Sequence, residues 1–335
     1  MKLLHDIKVV VLANRLVDMG GSMLARMGAE VVLAETGAEM TPARRAAWHQ
    51  GMRAADRPLA ELIADADVLL DDRRGGPLAE VDALVATNPR LVHVVAEGYT
   101  ARETRPVTDL TLMAQSGLMK VIGWADRPPL RLPGEQGYFL TGVQVATAAL
   151  MGLRARRLTG VGQRIALSAL QSAVLANYRT GIMYDWAGKI GMRAGNQLVR
   201  GASGVNQVWP CADGFVTWAM VDNPNMMRAV VRIMEEQGVA GELAQIDWDN
   251  ILVADTDQAV IDRWQAVFGA FFARHTRAEL EAWSLTQGWG LSPLTQIAEV
   301  ADSPQMVARG VFQTNDSGRV LPGPLFAVHS PKGGA

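Results

Sequence analysis

The sequence predicts an α/β protein, with a Rossmann-like parallel-sheet large domain joined to a smaller α+β domain. Three observations lead there. Apolar, β-branched runs alternate with helical stretches through the first third of the chain. The middle is helical. From residue 206 the texture changes to short strands followed by amphipathic helices. A length of 335 residues suits about two domains and buries a large core.

Ile7-Lys8-Val9-Val10-Val11-Leu12 is a β-branched run and predicts the first strand. A helix-forming stretch runs from Gly20-Gly21 to Met27, and Gly28 ends it. Glu30 to Glu35 is the second strand, Leu59 to Ala66 a helix, and Val68-Leu69-Leu70 the third strand. Leu78 to Ala86 is helical and Leu91 to Val95 is the fourth strand. Strands separated by helices of this length predict parallel pairing through crossovers. Leu110 to Val121, Phe139 to Arg156 and Ser168 to Trp186 are the central helices. Gln207 to Trp218 reads as two strands joined by an Ala212-Asp213-Gly214 turn. Helices at Met226 to Glu236, Ala259 to Arg274, Arg277 to Leu285 and Leu294 to Ala301 follow, then a Pro/Gly-rich tail. The expected division is a large domain of residues 1–200 with 291–335, and a small domain of 206–290.

Composition removes several function classes. A 49% hydrophobic content and a net charge of -2 argue against disorder. The balance of 32 basic against 34 acidic residues leaves no footprint for nucleic acid. Cys211 is the only cysteine, so no disulfide framework exists and a reducing, cytoplasmic setting is expected. Met1 to Asp6 does not resemble a signal peptide, and no window approaches the roughly 20 apolar residues of a membrane span. The five histidines are scattered without HExxH or CxxC spacing, so no metal is expected. Gly20-Gly21 comes too late after the first strand for a dinucleotide turn, and neither a P-loop nor a GxSxG elbow is present. His93 reads as a core or edge histidine, and Cys211 as a small buried side chain. Asp65, Asp67, Asp71 and Asp72 read as solvated loop-end acids. The residues alone predict a two-domain α/β protein without naming its chemistry.

Six segments in order carry a family resemblance. Gly28-Ala29-Glu30-Val31-Val32-Leu33-Ala34-Glu35 resembles LGAEVIKVE, and Ala64-Asp65-Ala66-Asp67-Val68-Leu69-Leu70 resembles ADADVLV. Asn88-Pro89-Arg90-Leu91-Val92 is similar to NPRLV. Thr108-Asp109-Leu110 with Gln115-Ser116-Gly117-Leu118-Met119 resembles YDLxxQAxSGLM. Thr159-Gly160-Val161-Gly162-Gln163-Arg164-Ile165-Ala166-Leu167-Ser168 resembles TGxGQxxDVS. The run from Ser303-Pro304-Gln305-Met306 to Ala308-Arg309-Gly310 resembles DPQLxARG. Together they resemble the family III CoA-transferases, which include formyl-CoA transferase, carnitine-type CoA-transferases and 2-methylacyl-CoA racemase. The resemblance implies a Rossmann-like domain completed by the C-terminal segment, and two chains threaded as interlocked rings.

It also implies a site. In the transferases an aspartate attacks the acyl-CoA thioester, because the chemistry needs a carboxylate that is both nucleophile and CoA carrier. That aspartate lies three residues after the motif serine. Counting from Ser168 reaches Gln171. An amide offers a neutral carbonyl and an NH₂ donor and forms no anhydride. Gln171 is thus either a hydrogen-bonding remnant of the nucleophile position or an ordinary polar helix residue. The racemase branch uses a histidine and an aspartate as an acid–base pair, and Thr108 and Gln171 stand at those positions. CoA contacts are implied at Arg15, Leu16, Arg53, Asp72, Arg73 and Arg74, with the arginines on phosphates and Asp72 opposing them; the alternative for these charges is a solvated loop end. A glycine-rich loop over the acceptor carboxylate is matched by Gly201, Ser203 and Gly204, which serve equally well as a linker. Acyl-CoA, a carboxylic acid and a second chain, identical or related, are the expected partners. The expected activity is CoA transfer, with this chain as the subunit lacking the nucleophile; a diverged acyl-CoA-binding protein is the alternative.

Overall fold

The computed structural model describes residues 3–36, 40–72, 78–99, 105–201, 203–314 and 318–326. They divide into two compact units. The first comprises Met1–Ile122, Pro129–Gly191 and Pro304–Ala335, and the second Gly123–Pro128 and Met192–Ser303.

The first unit opens with β1 (Lys8–Ala13), α1 (Asp18–Arg26), β2 (Glu30–Thr36), α2 (Pro42–Trp48), β3 (Met52–Ala54), α3 (Leu59–Asp65), β4 (Val68–Asp71), α4 (Leu78–Ala86) and β5 (Val92–Glu97). α5 (Asp109–Gln115), α6 (Gln136–Thr159), β6 (Gln163–Ser168), α7 (Ala169–Leu175) and α8 (Tyr178–Ala187) follow. The six strands pair in parallel in the order β3-β2-β1-β4-β5-β6. Alternation along the central strands serves two cores. Val9, Val11, Val68, Leu70, Val92 and Val94 pack with Leu24 of α1 and Val145 and Ala149 of α6. Val10, Leu12, Val32 and Leu69 pack on the other face with Leu62, Ile63 and Val81. A sheet covered on both faces explains why these strands read as continuous apolar runs.

Gly20 and Gly142 bring α1 and α6 into close contact. A Cβ on Gly20 would lie 2.5 Å from Val145 Cγ1, and one on Gly142 2.5 Å from Met19 Cβ. Gly20 therefore serves helix packing.

The sequence reading of one helix from Ser168 to Trp186 is corrected. β6 runs through Ser168, and α7 and α8 are separate. Asn177 makes the break: its amide donates to Ser116 O at 3.3 Å and its Oδ1 accepts from Thr180 Oγ1 at 2.6 Å. Such side-chain hydrogen bonding competes with continuing a helix.

The second unit contains a hairpin of β7 (Gln197–Arg200) and β8 (Ser203–Asn206). A three-stranded sheet follows from β9 (Val208–Cys211), β10 (Gly214–Thr217) and β11 (Ser292–Pro293). The strands flanking the Ala212-Asp213-Gly214 turn are antiparallel, as its composition predicts. α9 (Pro224–Glu236), α10 (Gln258–Phe272), α11 (Arg277–Gln287) and α12 (Ile297–Val300) complete the unit. Its core is aromatic: Trp209 and Trp218 meet Phe272 at ring distances of 5.5 and 5.4 Å, and Trp218 meets Phe268 at 4.8 Å. Residues 192–200 and 291–303, which the sequence reading put in the large domain, belong here. β7 is paired to β8 and β11 to β10, so both segments are stitched into this unit.

The chain then returns to the first unit with α13 (Pro304–Ala308), β12 (Phe312–Thr314) and β13 (Val320–Pro322). Arg26 Nε donates to Gly323 O at 2.9 Å, and Gln50 Nε2 to Pro322 O at 2.7 Å. Among the described residues no helix is long and apolar enough to cross a membrane.

Candidate functional site

In the parallel sheet the chain leaves β1 toward β2 and β3 on one side, and returns as β4 to continue toward β5 and β6 on the other. The crevice outside the carboxyl ends of β1 and β4 is where such sheets hold ligands. Here it is built from Asn14 to Asp18 after β1, and from Asp72 after β4.

Asp72 is 1% exposed. Its carboxylate accepts the backbone N–H groups of Asn14 and Leu16, and that of Val17 at 3.3 Å. Arg15 has φ +91°, alone among the described non-glycine residues in being left-handed. That twist turns successive amides to one side, an anion-binding nest. Val17, the N-cap of α1, provides no side-chain cap, and Asp72, just beyond β4, holds the Val17 amide and two amides of the turn that leads into the helix. Burial pushes the Asp72 carboxyl up to about 8, and neighbouring Asp18 adds to this; the amides of Leu16, Asn14 and Val17 act in the opposite sense. Asp18 is wholly buried and meets His49 Nε2 through Oδ1.

A second distant aspartate does similar work. Glu135, the N-cap of α6, makes no side-chain cap bond. Asp109 Oδ1 instead accepts Gly137 N at 2.7 Å. Thr108 caps α5 in a capping box, with Oγ1 accepting Thr111 N at 3.2 Å. The position where the racemase branch has its histidine is thus a helix cap.

Gln171 lies at the carboxyl end of β6, in the first turn of α7. Ser168 is the N-cap and accepts Gln171 N at 3.3 Å. Leu170 N donates to Gly98 O at 3.0 Å, tying this turn to the segment after β5. The Gln171 side chain is exposed, so the edge of the sheet presents an amide where the resemblance expects a carboxylate.

The other expected positions are dispersed. Leu16 is fully buried with its N–H engaged by Asp72, and Arg15 is half-buried. Asp72 is an internal acceptor of backbone amides, where the sequence suggested a ligand-side or solvated acid. Arg53 pairs with Glu30 at 2.7 Å and Asp56 at 3.0 Å, and these bonds raise its already high pKa. Arg73 and Arg74 lie outside the described residues. In the second unit, the expected substrate loop is the β7–β8 hairpin. Gly201 has φ +56°, and a Cβ there would lie 2.6 Å from Ala254 O. Ser203 is 1% exposed and donates to Thr256 O, while Gly204 N donates to Gln258 Oε1 at 2.7 Å. The segment is docked on residues 254–258. Asp18, His49 and the capping role of Asp109 were not singled out from sequence. The Asp18-x-x-x pattern of α1 gives no signal, since the partner histidine follows another helix.

The acidic cluster read from sequence divides between the ends of β4. Asp65 and Asp67 are at the amino end, with Asp65 held by Lys8 at 2.8 Å and Arg57 at 2.9 Å, and Asp67 by Arg156 at 2.8 Å. Asp71 and Asp72 are buried at the carboxyl end, where Asp71 lies 3.5 Å from buried His93. Cys211 is half-buried and its thiol donates to Asp213 at 3.5 Å.

Comparison with known proteins places this architecture. The chain is 27% identical over 266 residues to succinyl-CoA:(R)-benzylsuccinate CoA-transferase subunit BbsE of Thauera aromatica, covering 76% of this chain and 63% of the relative. It is 28% identical over 254 residues to succinyl-CoA–D-citramalate CoA-transferase of Chloroflexus aurantiacus, covering 65% and 62%. The chain thus spans less than two thirds of the length of these relatives. A crystal structure of a CaiB/BaiF family protein from Brucella suis superposes with a TM-score of 0.81 at 22% identity, covering 98% of this chain and 92% of the other, which shows the same fold. The sequence profile of CoA-transferase family III matches residues 52–332. The chain belongs to CoA-transferase family III.

Proposed function

We propose that this chain takes part in moving CoA between an acyl-CoA thioester and an acceptor carboxylate, as the subunit lacking the nucleophile in a two-chain enzyme. The observation that carries the reading is Gln171, an exposed amide on the turn from β6 to α7. The transfer requires a carboxylate oxygen to attack the thioester carbon while the C–S bond breaks and the CoA thiolate leaves. An amide does not supply that oxygen, so a related chain does. CoA is the group exchanged, and a carboxylic acid the acceptor.

The surface of the first unit supports a second chain. α8 buries none of its residues. Tyr178, Ile182, Tyr184 and Trp186 are 63%, 48%, 62% and 86% exposed. A groove of about 350 Å³ beside the unpaired edge of β6 is lined by Ala148, Met151, Gly152, Ile165 and Leu167. Exposed apolar surface of this kind marks interaction sites. BbsE is itself described as a subunit.

A second reading, a non-catalytic acyl-CoA-binding protein, is favoured by the same amide at Gln171; the burial of Leu16 and Asp72, expected at CoA, counts against contact at those two positions under either reading. Thr108 as a helix cap disfavours the racemase reading.

Thioester exchange assayed with the pure chain, alone and with a family member carrying Asp at the Gln171 position, separates these. The expected outcome is exchange only with the partner. Robust turnover by the lone chain refutes both readings. Gln171→Asp is expected to give measurable exchange by the lone chain. Calorimetry with CoA, with the partner present, distinguishes a binding chain from one that binds nothing.

A further inference from the structure

Val174 lies three residues beyond Gln171 on α7, and side chains so spaced on a helix sit about 5–6 Å apart. At Val174 begins a groove of about 550 Å³ between the end of α7, α8 and residues 190–191, all within the first unit. No charged residue lines it, and Tyr178, Tyr184 and Ile190 supply apolar walls. Its polar residues are already engaged. Asn177 donates to Ser116 O and accepts from Thr180 Oγ1, and Ser116 Oγ donates to Met113 O at 3.1 Å. Gly191 lets its segment lie close against α8, since a Cβ there would be 2.7 Å from Thr180 Cγ2. Gly181 also lines the groove, from inside α8, where glycine is disfavoured relative to alanine. No described atom lies within 4 Å of the place its Cβ would take, and its backbone is not left-handed. Neither packing within the chain nor backbone geometry calls for this glycine. What it provides is open room in the groove.

We propose that this groove houses the acyl chain of the thioester, and that it selects uncharged acyl groups with a bulky apolar or aromatic body over dicarboxylic ones. The inference rests on the CoA-transfer reading, which puts the thioester at Gln171, and adds the class of acyl group. With the thioester carbonyl accepting from the exposed Gln171 amide, an acyl chain directed along α7 reaches Val174 within one turn and enters the groove. Its volume falls in the range of about 300–1,000 Å³ that small ligands occupy. An ionised carboxylate would meet no cation there, so its desolvation would go uncompensated. Ile182 and Trp186 are not part of the lining and stay available to a second chain.

The test uses the full chain and two thioesters of N-acetylcysteamine, the phenylpropanoyl and the succinyl, which lack the CoA phosphates. The readouts are the methyl resonances of Val174 and Ile190. Gly181→Leu fills the open room, and Gly181→Ala fills less of it. Removing a glycine from a helix interior favours the fold, so these variants probe the groove and not stability. The wild type is expected to bind the phenylpropanoyl thioester at least tenfold more tightly than the succinyl one. Gly181→Leu should weaken the phenylpropanoyl thioester at least tenfold, and Gly181→Ala by less. Three results would overturn the proposal: equal binding of the two thioesters by the wild type, no methyl response to the phenylpropanoyl thioester, or unchanged binding by Gly181→Leu. If Gly181→Leu does not fold, the wild-type preference and Gly181→Ala still decide. Binding is read without turnover. Failed thioester exchange beside a bound probe therefore refutes the transfer reading alone, and exchange without probe binding refutes the groove assignment alone.

Discussion

The two units solve the burial problem differently. The first stacks small β-branched and aliphatic side chains on a parallel sheet, with Val9, Val11, Val68, Val92 and Val94 in one layer. The second has a three-stranded sheet with short strands, and fills its centre with Trp209, Trp218, Trp264, Trp289, Phe268, Phe271 and Phe272. In the first, backbone ladders fix the layers and each side chain contributes modestly. In the second, interlocking rings carry the architecture, and their indole N–H groups join it: Trp209 Nε1 donates to Trp218 O at 2.7 Å and Trp218 Nε1 to Trp289 O at 3.2 Å. Aromatic rings bury more area per residue and favour edge and tilted contacts, so damage in the second unit should be concentrated in few positions.

The strongest challenge to this contrast is Trp218→Ala. We expect a loss of about 3–5 kcal/mol, read by urea unfolding, with faster hydrogen exchange confined to the second unit. Equal loss of protection in both units would break the contrast. Next is Gly142→Ala, which drives a Cβ to 2.5 Å from Met19 Cβ. Overpacking here should cost about 1–3 kcal/mol, with protection lost in α1 and α6. A stability equal to wild type would show that the helices can part without cost.

The pH response sharpens the contrast. Asp72 in the first unit is raised to about 8, so the folded state holds an extra proton. Its contribution is fully present below the ordinary carboxylate range and is lost as pH rises toward 8, at most about 1.4 kcal/mol per pH unit. Asp72→Asn should flatten that slope in unfolding titrations between pH 5 and 8, and an unchanged slope would assign it to another group. Glu299 in the second unit behaves oppositely. Arg277, bonded to it at 2.8 Å through two nitrogens, holds its carboxyl down at about 2. That contribution is present above the usual carboxylate range and is lost as pH falls through about 2. The pair is partly exposed, so Glu299→Gln should give the smallest change of the set, and one that salt reduces. A salt-insensitive loss would mean that the bond acts by packing.

Legibility followed the covering of each strand rather than the division into units. β1, β2, β4 and β5 were readable because strands covered on both faces are apolar throughout. β3 was not: Met52-Arg53-Ala54 is an edge strand of three residues without a run. β6 was hidden because none of its residues is fully buried and two are exposed, and its motif looked like the start of a helix. The β7–β8 hairpin was unreadable because its contacts lie some 50 residues further along, on 254–258. At the candidate site, the turn carrying Gln171 was located from Ser168 by resemblance, and its exposure came from the structure. Asp72 was misread since its neighbours Arg73 and Arg74 suggest a wet loop, while the three amides that hold it come from residues 55 to 58 positions earlier.

Those distant contacts bear on the order in which the unit is made. A ribosome releases residues 18–26 well before Asp72, and Asp72 well before Gly323, which accepts from Arg26 across 297 positions. Until Asp72 emerges, the amides of Asn14, Leu16 and Val17 in the turn before α1 lack the carboxylate that holds them, and a nine-residue helix is too short to persist in water by itself. The contacts that complete the first unit thus join residues at both ends of its sequence, with Arg26 bonded to Gly323 across 297 positions.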